Sequence, residues 1–439
     1  MIKMPIIEDL PDVPPALLLL LKEIATCNSW TKMRLRIKGM LRELRDQSEA
    51  FAIHQINRVS DRGSVARFEI HLHGAMDLLS GQGCADLKCR VEAAKRTARS
   101  VGLIADRVWL TDLLSEQFVD FGKPTKEKID AVIADVVVLS QLLPLIAAGV
   151  VRFRSPWIPA CRSCSDYFYS RAEEATEELT NVFLSEIRIA DGPDGMFYAH
   201  TGNCLEPTLV YHNIPKNREN VQEVPTAREW AKSWIHNEFV SILWRAREAS
   251  MTGGSVFSNS RVGLSGLLLQ EGRLNSVSNL SLLDSERNIS VPWVSDLDAQ
   301  QIVQLRNEAS LALPQFREKI SQALSPRQSD APTTTATSLL TELRAQAAEV
   351  RSELEIKRKS SARYWKATYG ILGLGLSAYG IGTDQVLAGI GGLLPVIHLL
   401  INHKTGQESE VAKLTTKPGY VLVKAQDILA HAHEKDNAI

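Results

Sequence analysis

Four cysteines, a few histidines and a scatter of carboxylates are the residues here whose types and spacing suggest a chemistry. Cys161 and Cys164 form a C-x-x-C in the proline-flanked stretch SPWIPACRSC, and Cys84 and Cys89 lie close together in GQGCADLKC. Two close thiolate pairs are the donor set of a structural zinc site, which needs four ligands in tetrahedral array. The spacing of Cys84 and Cys89 is loose for zinc, so the expectation is ordinary thiols and no cofactor, with a zinc site on Cys84, Cys89, Cys161 and Cys164 as the alternative. A redox role for a C-x-x-C requires a strand–helix–strand context, and the sequence before Cys161 reads without one.

His71 and His73, in FEIHLHG, share a face only if that segment is extended. His236 in WIHNEF has no histidine four residues on, and the chain has no H-E-x-x-H, so all three read as structural histidines. Ser265 in VGLSGLL misses the last glycine of G-x-S-x-G by one position and follows no strand, which argues against a nucleophile elbow. Asp106, Asp112, Asp130 and Asp135 would converge on a divalent ion only if the two segments carrying them pack together. No G-x-x-x-x-G-K-[ST] is present, and GLGLSAYG sits in an apolar run with no strand before it, so neither phosphate-binding fingerprint applies. The side chains favour a non-catalytic protein, with a carboxylate–metal hydrolase as the enzymatic alternative.

The elements that must position these residues are read mainly as helices. Apolar residues recur at three and four from Pro14 to about Leu79, with Arg34, Arg36, Lys38, Arg42 and Arg45 on the opposite face, which is an amphipathic helical pattern with a basic outer side. Further helices are expected from Asp86 to Leu114, from Thr125 to Val150 with Gly149 as its stop, from Ser170 to Leu184, and from Thr226 to about Thr252. Residues 155–168 read as a loop, and 288–324 as a helix that begins near Ser295 or Asp296 and is kinked by Pro314. Between 185 and 215 the period changes to two, and turn residues separate three short runs, so a three-stranded antiparallel meander is expected there as the one sheet.

The predicted fold class is therefore mainly α: a helical body over residues 1–324 with a small antiparallel β insertion at about 185–215, a polar linker at 325–338, and a C-terminal module at 339–439. Composition fits this: 44% hydrophobic, 23% charged, and 50 Lys plus Arg against 51 Asp plus Glu. A balance so close to neutral gives no field for non-specific nucleic-acid binding. Six sparse cysteines suit a reducing compartment, and ALLLLL near the N-terminus is flanked by acidic residues, unlike a secretion signal, so a cytoplasmic protein is expected.

The C-terminal module contains YGILGLGLSAYGIGTDQVLAGIGGLLPVIHLLI, residues 369–401. As helices its two halves would span about 21 Å and about 24 Å, short of a hydrocarbon core of ~30 Å. A hairpin turning at Asp384 fits better, with the small residues Gly375, Ala378, Gly382, Ala388 and Gly392 letting its arms approach. Lys357, Arg358, Lys359, Arg363 and Lys366 precede it as a basic flank of the kind found beside a cytoplasmic leaflet. The module is expected to act at a membrane or in self-association or protein binding; the alternative is a soluble scaffold with the hairpin in its core. Cell fractionation tests this: the full chain should distribute to membranes and a chain ending at Ala367 should not, and equal solubility of the two would remove the membrane reading.

Three phrases, ADRVWLTD at 105–112, LPLIAAGVVRF at 143–153 and VPWVSDLDAQQIVQLRNEASLALPQFREKI at 291–320, resemble uncharacterised, mainly helical bacterial proteins of defence loci. Some of those proteins end in a Gly-rich hydrophobic hairpin. The resemblance implies a bacterial, cytoplasmic, anti-phage or toxin-like role and carries no site residues.

Overall fold

The computed structural model describes residues 12–27, 29–57, 69–73, 86–99, 101–119, 121–155, 160–191, 196–200, 212–215, 227–252, 254–257, 261–270, 297–324, 341–355 and 413–436. The expected linker, the hairpin and its basic flank, and Cys84 lie outside these residues. Most described residues are helical, and the chain divides into two units, the first holding Met1–Ser290 with Asp298–Val303 and the second most of 304–439.

The first unit departs from the expected plan at its centre. Strands β1 (Glu69–Leu72), β2 (Arg107–Thr111), β3 (Val151–Arg154) and β7 (Ser255–Phe257) form one sheet in the order β3-β2-β1-β7. Every pairing is parallel. The expectation of one antiparallel sheet is thereby corrected: the sheet that organises this unit is parallel, and its strands are separated by helices. A separate ribbon, β4 (Arg188–Asp191), β5 (Met196–His200) and β6 (His212–Pro215), pairs antiparallel within the 185–215 segment.

The reason lies in local alternation. In EIHL, RVWLT and VRFR every second residue is apolar, so Ile70, Leu72, Val108, Leu110, Val151 and Phe153 fall on one face, where all are buried. Burying each removes about 1.5–3 kcal/mol worth of apolar surface from water. The segment from Asp86 to Leu114 is accordingly not one helix: α3 (Leu87–Arg99) and the single turn α4 (Val101–Ile104) end before β2. Likewise α1 (Pro15–Thr26) and α2 (Trp30–Asn57) end before β1.

After β2 come α5 (Leu113–Val119) and α6 (Lys126–Ser140), the latter capped by the Thr125 hydroxyl, which accepts from the Lys128 amide at 3.3 Å. The apolar run to Val150 does not continue as one helix, because Pro144 starts a new short one, α7 (Leu143–Ala147). Gly149 then turns the chain with φ of 70°, a left-handed conformation that suits glycine, and β3 follows. The exposed edge of β3 is covered by the segment before α1: the Phe153 amide donates to the Asp12 carbonyl at 2.8 Å, and Arg152 pairs with the Asp12 carboxylate at 2.7 Å.

Helix α8 (Arg162–Phe183) starts within the stretch read as a loop, and α9 (Ala227–Thr252) and α10 (Arg261–Gln270) pack beside it. Leu179, Phe183, Ile235, Phe239 and Val262 are the centre of that second core. Gly266 of α10 lies against the Phe239 ring so closely that a Cβ there would clash, which lets the two helices approach.

In the second unit Pro314 occupies the first turn of a helix, Leu313–Leu324, and does not kink a longer one. The helix before it, Ala299–Glu308, is capped by Asp298, not by Ser295 or Asp296: Gln301 N–H donates to Asp298 Oδ1 and Asp298 N–H to Gln301 Oε1, both at 2.8 Å. The helical stretch 341–355 buries Leu343, Ala347 and Val350 along one seam and packs on the C-terminal helix Gly419–Asp436, where Arg351 pairs with Asp427 at 2.8 Å. Gly419 permits that contact, since a Cβ would meet the backbone of Gln346 and Ala347. Among the described residues no helix is long and apolar enough to cross a membrane.

Candidate functional site

The second face of the parallel sheet is polar. Glu69, His71 and His73 follow one another at spacing two on β1 and just beyond it, and the register sets Arg107 beside Glu69 and Trp109 beside His71. Arg152 and Arg154 of β3 share that face, opposite Trp109 and Thr111. Parallel strands are usually apolar on both faces, so a row of buried or half-buried polar groups needs partners. Glu69 accepts from Arg107 at 3.0 Å and from the Trp109 indole at 3.1 Å.

Helix α9 supplies the rest. Glu238, Ser241, Arg245 and Glu248 recur at three, four and three, which aligns them on one stripe of the helix. The stripe runs over β1: Ser241 Oγ lies 3.2 Å from His73 Nε2, and Glu238 Oε1 stands 3.8 Å from His73 Nδ1. Further along, Glu248 Oε2 accepts from Arg245 at 2.6 Å and sits 3.1 Å from Arg154 Nε. At the end of α9 a Cβ on Gly254 would lie 2.9 Å from the Glu69 carbonyl, so glycine allows the helix to turn tightly into β7.

Burial sets the charge states. His71 is held far below its ordinary pKa, at about 3, first by burial and then by the Arg154 and Arg245 guanidiniums. It is a neutral ring whose Nδ1 accepts from Arg154 Nη1 at 2.9 Å, which leaves its proton on Nε2. Burial also pushes Arg154 down to about 9, aided by Arg245 and opposed by Glu248. At the end of β2, Asp112 caps α5 by accepting the Ser115 amide at 3.0 Å, and burial raises its carboxyl to about 6 against the Ser115 hydroxyl and amide. Because that folded value lies above the unfolded one, the stability Asp112 contributes is complete below about pH 4 and is lost as pH rises through 6.

The sheet order gives this cluster a place. The chain steps from β1 outward to β2 and β3, and the last strand returns to the other side of β1, so the connection reverses at β1 and β7. In open parallel sheets ligands bind beyond the carboxyl ends of the strands at such a reversal, and His73, the residue that follows β1, stands there. No family model matches this chain, and no curated protein or solved structure is similar to it.

The other expected site residues fall elsewhere. Asp130 pairs with Arg34 of α2, and Asp135 with Arg90 of α3, so these two carboxylates stabilise helix packing. Arg36 pairs with Glu23, which leaves the basic side of α2 part-neutralised. Among the described residues no three or more His, Cys, Asp and Glu side chains gather as a metal site would require. Cys89 is an exposed residue of α3, while Cys161 and Cys164 open α8. His236 contacts the Thr176 hydroxyl at 3.3 Å, and Ser265 is fully buried within α10. The residues that sequence reasoning passed over are Arg154, Glu238, Ser241, Arg245 and Glu248; for the four on α9 the only signal was their spacing of three, four and three, among other polar residues of that helix.

Proposed function

We propose that the first unit is an enzyme of the acyl-transfer or hydrolase type, working at the carboxyl end of β1. His73 takes the proton of the Ser241 hydroxyl, and Glu238 orients the ring by favouring a proton on Nδ1. The single observation that carries this is the seating of His73 between a hydroxyl on Nε2 and a carboxylate beside Nδ1, which are the roles of base, nucleophile and orienting acid. The 3.8 Å gap at Glu238 is wider than a hydrogen bond and would close in the loaded site. Ser241 is half-buried, while His73 is almost fully enclosed, an environment in which its charge on proton uptake is paired with Glu238.

The resemblance to proteins of bacterial defence loci supports reading such a reaction as that of an effector. The Gly-rich segment at 369–401 would then bring the enzyme to a membrane or to a second copy, a role that rests on its sequence alone. A fluorophosphonate probe tests the chemistry directly: near-stoichiometric labelling of Ser241 is expected, lost in Ser241→Ala and slowed by about 10²-fold or more in His73→Gln. Labelling that is absent, or unchanged in both variants, would remove Ser241 and His73 from the reaction.

A further inference from the structure

Cys161 and Cys164 stand at the point where the chain leaves a parallel strand and enters a long helix. β3 ends at Arg154, and the 22-residue α8 begins at Arg162 with Cys161 as its N-cap, φ −74° and ψ 160°. The parallel pair β2 and β3, with helices between them, is a strand–helix–strand context before Cys161, which the sequence reads without. The two thiols are free and unequal: Cys161 is exposed, and Cys164, in the first turn, is half-buried. The Cys161 sulfur lies 3.1 Å from the Ser163 hydroxyl.

We propose that Cys161 and Cys164 form a thiol–disulfide exchange site that reduces a disulfide substrate. The Cys161 thiolate attacks one sulfur of the substrate, forming a mixed disulfide and releasing the first substrate thiolate. Cys164 then gives up its proton and attacks the Cys161 sulfur, which releases the second substrate thiolate and leaves a Cys161–Cys164 disulfide. The protons of the two cysteines end on the two released thiols, so the substrate gains the two electrons that the dithiol loses.

The asymmetry suits these roles. The Ser163 hydroxyl, then the amide and thiol of Cys164, lower the Cys161 pKa to about 7, so a large share is thiolate at neutral pH. The helix N-terminus adds in the same direction. Cys164 moves the opposite way, its thiol raised chiefly by the Cys161 thiolate beside it, so it stays protonated until the mixed disulfide forms. The chemistry asks only for a strained or accessible disulfide, which a protein or a low-molecular-weight disulfide would supply.

The test uses the full chain, reduced and then freed of reductant. Oxidised glutathione should convert Cys161 and Cys164 to an internal disulfide, read as a loss of two hydrogens in the peptide spanning them. Cys164→Ser should stop at one glutathione attached to Cys161, and Cys161→Ser should react at least about tenfold more slowly. Iodoacetamide should alkylate Cys161 with a midpoint near pH 7, moving upward in Ser163→Ala. A second arm with insulin and dithiothreitol separates the sources: acceleration of insulin reduction assigns a protein disulfide, and reaction with glutathione alone assigns a small one. Cys161 alkylating no faster than Cys89 at pH 7, with no internal disulfide from either source, would overturn the proposal. So would an equivalent of bound zinc that shields both thiols.

Discussion

Replacing Asp135 by alanine is expected to cost about 3–5 kcal/mol of stability. Asp135 is fully buried and Arg90 nearly so, and the two pair across α6 and α3, while the Gln117 amide donates to the second carboxylate oxygen at 2.7 Å. Removing the carboxylate takes the Asp135 charge away from an enclosed guanidinium and the acceptor away from the Gln117 amide, and both penalties fall on the variant. Replacing both charges, as Arg90→Met with Asp135→Leu, should recover most of the loss, because no charge is then stranded. Asp130→Ala is the contrast: its pair with Arg34 is part-exposed on both sides, and the expected cost is about 1 kcal/mol or less. Urea unfolding at constant m-value measures all three, and a loss below ~1 kcal/mol in Asp135→Ala would show that Arg90 reaches solvent when unpaired.

His71→Gln should change the acid limb of stability. The folded pKa of about 3 lies below the unfolded ~6.5, so between these values the unfolded chain binds a proton that the folded chain refuses. Stability due to His71 is therefore complete above pH 6.5 and lost as pH falls toward 3, by about 3 kcal/mol at pH 4.5. Gln keeps an oxygen that accepts from Arg154 but takes up no proton, so the variant should lose that much less between pH 7 and pH 4.5. Asp112 acts in the opposite direction over part of this range, but it is present in both proteins and cancels in the comparison. Parallel profiles for the two proteins would mean that His71 is solvated in the folded state.

The same buried histidine shows what was legible beforehand. FEIHLHG places its histidines on one face if extended, but a four-residue strand is too short to outweigh the helical pattern on either side. DRVWLTD reads as part of a helix for the same reason, although Val108 and Leu110 alternate with Arg107, Trp109 and Thr111. Ser241 and Glu238 lie about 170 residues from His73, and no local pattern marks residues that meet only after the sheet has closed.

By itself the sequence determined the helical character of most of the described residues, the buried N-terminal helix opened by Pro14 and Pro15, the stop at Gly149, and the position of the thiol pair, since each follows from periodicity and from backbone limits within a few residues. Tertiary structure alone decided that three short alternating segments pair as parallel strands, because parallel neighbours need long crossovers and their partners are distant in sequence. It also decided that the polar face of that sheet meets the polar stripe of α9, where low dielectric and enclosed charge turn ordinary residues into a neutral His71 and a His73 set against Ser241.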